Sequence, residues 1–272
     1  LSGRSKRFTR QCYQLPMHSG IYPLRMIYDN EKTADIILER LKIGDPFSYI
    51  RFGDGDFIAM YPQNQNRVIG SNNKSVITKE IQQLIRESYQ VNESNYMVGT
   101  LLPSKRSMRS AVNWQLIDEL VSHPTDLYSA IALQECFLTR KNVFAEILSE
   151  LRKRKTLYVN HYYEPILDIL GEVTWIQIPQ YNACGDWEHY LTLINSHYDY
   201  DQIILSAGQL SRVIGKKIHG EKIVLDIGSV SDMLIIGTDS FKHISQRGHI
   251  RRHRVSIDKT VKYLHDLYKH SV

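Results

Sequence analysis

The sequence predicts an α/β protein with a mostly parallel sheet covered by helices on both faces. The first observation is length and composition: 272 residues, 42% hydrophobic and 23% charged, enough for one well-buried core. The second is order. Short β-rich runs alternate with windows of helical period, most clearly in the second half. The third is continuity, since no repeat, low-complexity tract or Gly/Ser linker divides the chain, which favours one domain.

Residues 1–30 read as an irregular basic lead-in broken by Pro16, Gly20 and Pro23. A helix is predicted over 31–42, where Ile36, Ile37, Leu38 and Leu41 share a face and Gly44-Asp45-Pro46 stops it. The run FSYIRF then reads as a strand entering Gly53-Asp54-Gly55-Asp56. Helices are predicted over 78–89, 107–121 and 141–153, with strands at YMVG (96–99) and TLYVNH (156–161). Strand WIQIP (175–179) leads to a helix over 186–196, and QIILSAG (202–208) to one over 210–218. The strand KIVLDIG (222–228) follows. The main α/β domain is expected to span 31–240, with 241–272 as a basic helical appendage.

Composition excludes several classes. The formal charge is +5, from 34 Lys and Arg against 29 Asp and Glu. That excess suits phosphorylated substrates and falls short of a nucleic-acid coat, so no nucleic-acid partner is expected. Cys12, Cys136 and Cys184 form neither a disulfide framework nor a C-x-x-C metal pair, which points to a reducing, cytoplasmic setting. The basic start lacks the apolar run of a secretory signal, and no stretch reaches membrane-spanning length. The first residue is Leu, as expected of a trimmed chain or of one domain from a longer polypeptide. The 17 Tyr are numerous; such rings line sugar or base sites as well as cores.

Ligands of open parallel sheets bind beyond the carboxyl ends of the strands. Polar, turn-forming residues occur at four such ends: Arg51 to Asp56, Asn160-His161, Gly208-Gln209 and Asp226-Ile227-Gly228. The sharpest motif is RFGDGDF, 51–57. In an extended stretch Asp54 and Asp56, at i and i+2, point the same way and present two hard oxygen donors for Mg²⁺ or Mn²⁺. Gly53 and Gly55 allow a sharp turn and a close ligand. The same residues also suit a surface turn or a helix N-cap.

SYIRFGDGDF resembles the signature of the GT-D-type glycosyltransferases, whose usual form is RFGDGE with a D-x-E metal motif. The likeness continues in order through IPQYNACGDWEHYLTLI, IILSAGQLSRVIGKKI and IVLDIGSVSD, over roughly 31–240. It implies a Rossmann-like transferase using a nucleotide-sugar, a UDP-sugar first, with Mn²⁺ or Mg²⁺. By matching positions, Asp54 and Asp56 hold the metal beside Arg51 and Gly53. Asn182 meets the nucleotide, Gly208 offers backbone N–H groups to phosphate, and Asp226 closes the site. Asn160 and Gln209 join the nucleotide-sugar set, although Asn160-His161 replaces a usual Glu-Gly and Gln209-Leu210 a Pro-Thr. Asp56 replaces the usual Glu.

Asp232, expected in a loop past the strand end, is the candidate base for an acceptor hydroxyl, with Asp226 as its competitor. His161 can contact sugar or phosphate, or simply be structural. Lys105, Arg106 and Arg109 can guide anions or lie in a solvated loop. In the tail, Ile257, Val261, Leu264 and Tyr268 keep helical spacing opposite Arg251, Arg252 and Arg254. This stripe suits a peripheral membrane contact, a homodimer seam or a packed terminal helix. The expected activity is transfer of a hexose to a hydroxyl of a glycan, lipid-linked or protein-linked glycan acceptor. A metal-dependent phosphodiesterase or nuclease using Asp54, Asp56 and Asp226, and a non-catalytic nucleotide- or glycan-binding module, are the alternatives.

Overall fold

Asp29 accepts the Lys32 N–H at 2.8 Å and starts the first helix, α1 (Asn30–Ile43). Gly44 ends it in the left-handed conformation, with its N–H on the Arg40 carbonyl. The computed structural model describes residues 26–61, 68–69, 75–101, 126–161, 169–235, 257, 259–264 and 266–268. The predicted helix over 107–121, the basic residues Lys105, Arg106, Arg109, Arg251, Arg252 and Arg254, and the lead-in before residue 26 lie outside them.

The expected parallel sheet is present, with seven strands in one direction. In chain order these are β1 (Ser48–Arg51), β4 (Tyr96–Thr100), β5 (Leu127–Ser129), β6 (Thr156–Asn160), β7 (Val173–Gln177), β8 (Gln202–Ser206) and β9 (Ile223–Asp226). Their spatial order is β5-β4-β1-β9-β8-β6-β7, and every pairing is parallel. A separate antiparallel pair, β2 (Val68–Ile69) and β3 (Ser75–Val76), follows β1 in the chain.

Side chains alternate between two cores because strand residues point to opposite faces in turn. Ile50, Val224, Ile203, Leu205 and Leu157 lie on one face, covered by α2 (Asp54–Met60), α3 (Lys79–Tyr89), α6 (Trp187–Ser196) and α7 (Leu210–Lys217). Tyr49, Leu225, Ile204 and Tyr158 lie on the other. There they meet α1, α4 (Ala132–Thr139), α5 (Lys141–Arg152) and α8 (Val230–Ile235). With apolar side chains needed on both faces, β8 and β9 are buried along their whole length and β1 as far as Ile50. Helix α7 comes close to β1 because Gly215 has no Cβ; one added there would run into the Ile50 side chain.

The described C-terminal residues agree with one of the three readings of the tail. Ile257, Val261 and Leu264 are at most 2% exposed and belong to the same core as α1, α4 and α5. Tyr268 donates to the Ala145 carbonyl at 2.8 Å, and the Arg152 guanidinium lies over its ring. Ile257, Val261 and Leu264 of the apolar stripe are thus buried within the chain, as the packed-terminal-helix reading expects. Among the described residues no helix is long and apolar enough to cross a membrane.

Candidate functional site

Strands β1 and β9 are neighbours at the centre of the sheet, yet the chain runs from β1 outward through β4 and β5, and reaches β9 from the opposite side. This is a topological switch point, where loops at the carboxyl ends part and leave a crevice. Arg51 ends β1 and Asp226 ends β9. The Arg51 N–H donates to Asp226 Oδ2 at 3.3 Å, and Gly228 N–H to Asp226 Oδ1 at 3.1 Å. The Arg51 guanidinium donates to the Ile227 carbonyl at 2.5 Å, while its Nε is buried without a partner. Gly228, at φ 48°, leaves the room that Arg51 fills.

The RFGDGDF segment is extended only as far as Gly53 and turns helical at Asp54. Asp54 and Asp56 occupy the first turn of α2, as the helix N-terminal reading allowed. Asp56 Oδ2 reaches back to accept the Gly53 N–H at 2.7 Å. Acidic residues suit that end of a helix. Successive helical residues rotate by about 100°, so i and i+2 face nearly opposite ways. Asp56 therefore points inward at 4% exposure while Asp54 is exposed, and the two carboxylates do not converge.

Asp56 instead meets Arg212, which the sequence reading passed over. Arg212 Nη2 donates to Asp56 Oδ2 at 2.7 Å; its Nη1 donates to Asp226 Oδ2 and to the Gly208 carbonyl, each at 2.7 Å. One guanidinium thus ties α2, β9 and the β8–α7 loop together. Burial opposes the Arg212 charge, but Asp56 and Asp226 outweigh it and hold its pKa above the ordinary value. Burial likewise pushes the Asp56 carboxyl up, against the pull of Arg212 and the Gly53 N–H. A signal was available: Arg212 sits among Leu210, Ser211, Val213 and Ile214 on the buried part of α7, where a cation requires a partner.

The loops after β8 and β9 have the same form. Gly208 at φ 58° and Gly228 at φ 48° each follow a strand end, and Ser211 and Ser231 each stand three residues later. Ser211 Oγ accepts the Ala207 N–H at 3.1 Å, and Ser231 Oγ lies 2.6 Å from Ser206 Oγ. Gln209 is buried, with its amide Nε2 facing Gly55. These residues, with Arg51, Gly53, Asp56 and Asp226, form one cluster.

The other expected residues are placed differently. Asn160 is fully buried, donating to the Tyr158 hydroxyl at 2.5 Å and accepting the His161 N–H at 2.6 Å, so its amide is used inside the protein. Asn182 is exposed in the left-handed region, and its Oδ1 accepts the Val76 N–H at 3.1 Å, tying the β2–β3 pair to the turn before α6. Asp232 lies on α8 rather than in an outward loop, at 3% exposure. Short helices such as α8 leave little periodic signal.

A divalent ion held by the protein does not fit these residues. Asp56 Oδ2 and Asp226 Oδ2 are both committed to Arg212, and Asp226 Oδ1 to a backbone N–H. Asp54 faces away from Asp56. Among the described residues no group of three or more His, Cys, Asp or Glu side chains is placed to hold a metal ion.

No protein-family model matches the chain, and no curated protein matches it either. Solved structures do. The chain is similar to a new glycosyltransferase (DUF1792) from Streptococcus sanguinis at TM-score 0.58 and 18% identity, over 82% of this chain and 85% of that one. It is similar at TM-score 0.57 and 12% identity to the domain of unknown function 1792 described as having a distinct glycosyltransferase fold, over 79% and 83% of the two chains. A selenomethionine-substituted structure of that domain gives TM-score 0.56 at 12% identity, over 76% and 79%. The protein therefore has the fold of these glycosyltransferases.

Proposed function

We propose that this protein is a glycosyltransferase that moves a hexose from a nucleotide-sugar, with a UDP-sugar as the first donor to test, to a hydroxyl of a glycan, lipid-linked or protein-linked glycan acceptor. The observation that carries this reading is the convergence of Arg51, the Gly208 loop and the Arg212-braced carboxylates at the switch point of a sheet whose fold glycosyltransferases share. Leaving-group departure builds negative charge on a diphosphate. Arg51 and the backbone N–H groups at the start of α7 are suited to receive it, because fixed donors need no reorganisation as that charge develops.

An acceptor hydroxyl must lose a proton to a carboxylate within reach. Asp232 was expected in that role, but it is buried on α8; Asp54 is the exposed carboxylate of the RFGDGDF segment and has the better access. Asp54→Asn is expected to lower transfer by about 10²–10⁴-fold while nucleotide affinity holds. Asp232→Asn is expected to change stability more than donor binding.

The first experiment is a thermal-shift panel of nucleoside diphosphates and nucleotide-sugars, with an oligonucleotide as control. Stabilisation by one nucleoside diphosphate and its sugar supports the transferase. Salt-sensitive oligonucleotide binding in its place supports the phosphodiesterase reading. Ligand binding without any turnover of any donor supports a binding module.

A further inference from the structure

The two carboxylates marked by sequence for a metal do not meet each other in space; Asp56 meets Arg212, and so does Asp226. We propose that Arg212 takes the place of a protein-held divalent cation, its guanidinium serving as the permanent positive charge behind a nucleoside diphosphate on the Gly208 loop. This rests on the transferase reading above and concerns how the same site handles the diphosphate charge.

The geometry is that of a cation gathering oxygens. Asp56 Oδ2, Asp226 Oδ2 and the Gly208 carbonyl each lie 2.7 Å from a guanidinium nitrogen, and they come from α2, β9 and the β8–α7 loop. Hard divalent ions collect the same kinds of oxygen ligand. An ion using these oxygens would have to displace a guanidinium that is itself buried, leaving it without its partners, which is strongly unfavourable. The side chain is held in a slot that fixes it: only 9% of it is exposed, and it lies against the face of Phe52.

Charge gives the same answer. Arg51 and Arg212 balance Asp56 and Asp226, so an arriving diphosphate meets the loop N–H groups and Arg51 without facing two uncompensated carboxylates. The two terminal nitrogens of Arg212 are taken up by protein oxygens, and its Nε is buried without a partner. Arg212 is thus a positioning residue that holds the loop and neutralises the carboxylates, rather than a catalytic residue touching the donor.

The test is calorimetric titration of the full chain with UDP, and with the other nucleoside diphosphates, in EDTA and in Mn²⁺. Equal affinity in the two buffers is the expected result. Affinity more than about tenfold tighter in Mn²⁺ overturns the inference and leaves the transferase reading standing. Failure of every nucleoside diphosphate to bind in either buffer overturns the donor reading, and the inference with it. Arg212→Ala adds a readout that a purely structural role would not move. Removal of the guanidinium exposes the oxygens of Asp56 and Asp226, so the folded variant should lose about 10- to 100-fold in UDP affinity in EDTA and recover it with Mn²⁺. A folded variant that binds UDP in EDTA as tightly as the wild type overturns the inference. Should Arg212→Ala fail to fold, the two-buffer comparison on the wild type still decides.

Discussion

Replacing Gly228 with Ala tests how the crevice holds Arg51, and Gly220 supplies a control within the same chain. Both glycines lie at positive φ, 48° and 89°. An L-residue there costs about 1–2 kcal/mol from backbone sterics alone. The surroundings differ. A Cβ at Gly220 meets nothing within 4 Å, whereas one at Gly228 would strike Arg51, with Cζ at 2.8 Å and Nη2 at 3.2 Å. Arg51 must then leave the Ile227 carbonyl, forfeiting a charged hydrogen bond of about 1.5–3 kcal/mol. Gly220→Ala is thus expected to cost about 1–2 kcal/mol, and Gly228→Ala about 2.5–5 kcal/mol. Urea unfolding measures both. Calorimetry with UDP should show wild-type affinity for Gly220→Ala and a loss of about 10- to 100-fold for Gly228→Ala. The reasoning is refuted if the two variants lose the same stability, or if Gly228→Ala binds UDP as the wild type does.

Three further outcomes follow from the same contacts. Asp56→Ala leaves the buried Arg212 short of a partner and should cost about 3–5 kcal/mol, against about 0.3–1 kcal/mol for exposed Asp54→Ala, both by urea unfolding. Asn182→Ala removes the acceptor of the Val76 N–H, so hydrogen exchange at Val76 should accelerate while amides of β8 keep their protection. Tyr268→Phe keeps the ring against Arg152 but loses the hydroxyl's hydrogen bonds to the Ala145 carbonyl and Ser149 Oγ, for a cost of about 1–3 kcal/mol in stability by urea unfolding.

The parallel sheet was legible because burial on both faces demands what the runs at 202–208 and 222–228 show, apolar residues at almost every position. Helix α3 was legible because Thr78 caps it and Ile81 and Ile85 repeat at helical spacing. Helix α2 was hidden. Gly53, Asp54, Gly55 and Asp56 are turn formers, and the helix depends on Asp56 closing onto Gly53 and pairing with Arg212, 156 residues away. Reading that segment as extended aimed both carboxylates at one point; the helical turn separates them. Strand β5 was missed because three residues carry no period, and its neighbours are β4 and an isolated bridge from Ile27. At the site, Arg51, Gly208 and Asp226 were readable as strand-end residues. Arg212 reads at first as an ordinary solvated helical arginine, and only its apolar neighbours Leu210, Val213 and Ile214 mark it as buried. Asn160 and Asn182 look like ligand-binding amides, and only the folded chain shows their oxygens taken by the His161 and Val76 N–H groups.

The most direct test of the account is release of nucleoside diphosphate from a panel of nucleotide-sugars by the wild type and by Arg51→Met, with water as the default acceptor. The account predicts that the wild type turns over at least one nucleotide-sugar, and that a folded Arg51→Met variant loses most of that turnover. Absence of turnover across the panel, or turnover that Arg51→Met leaves unchanged, would contradict it.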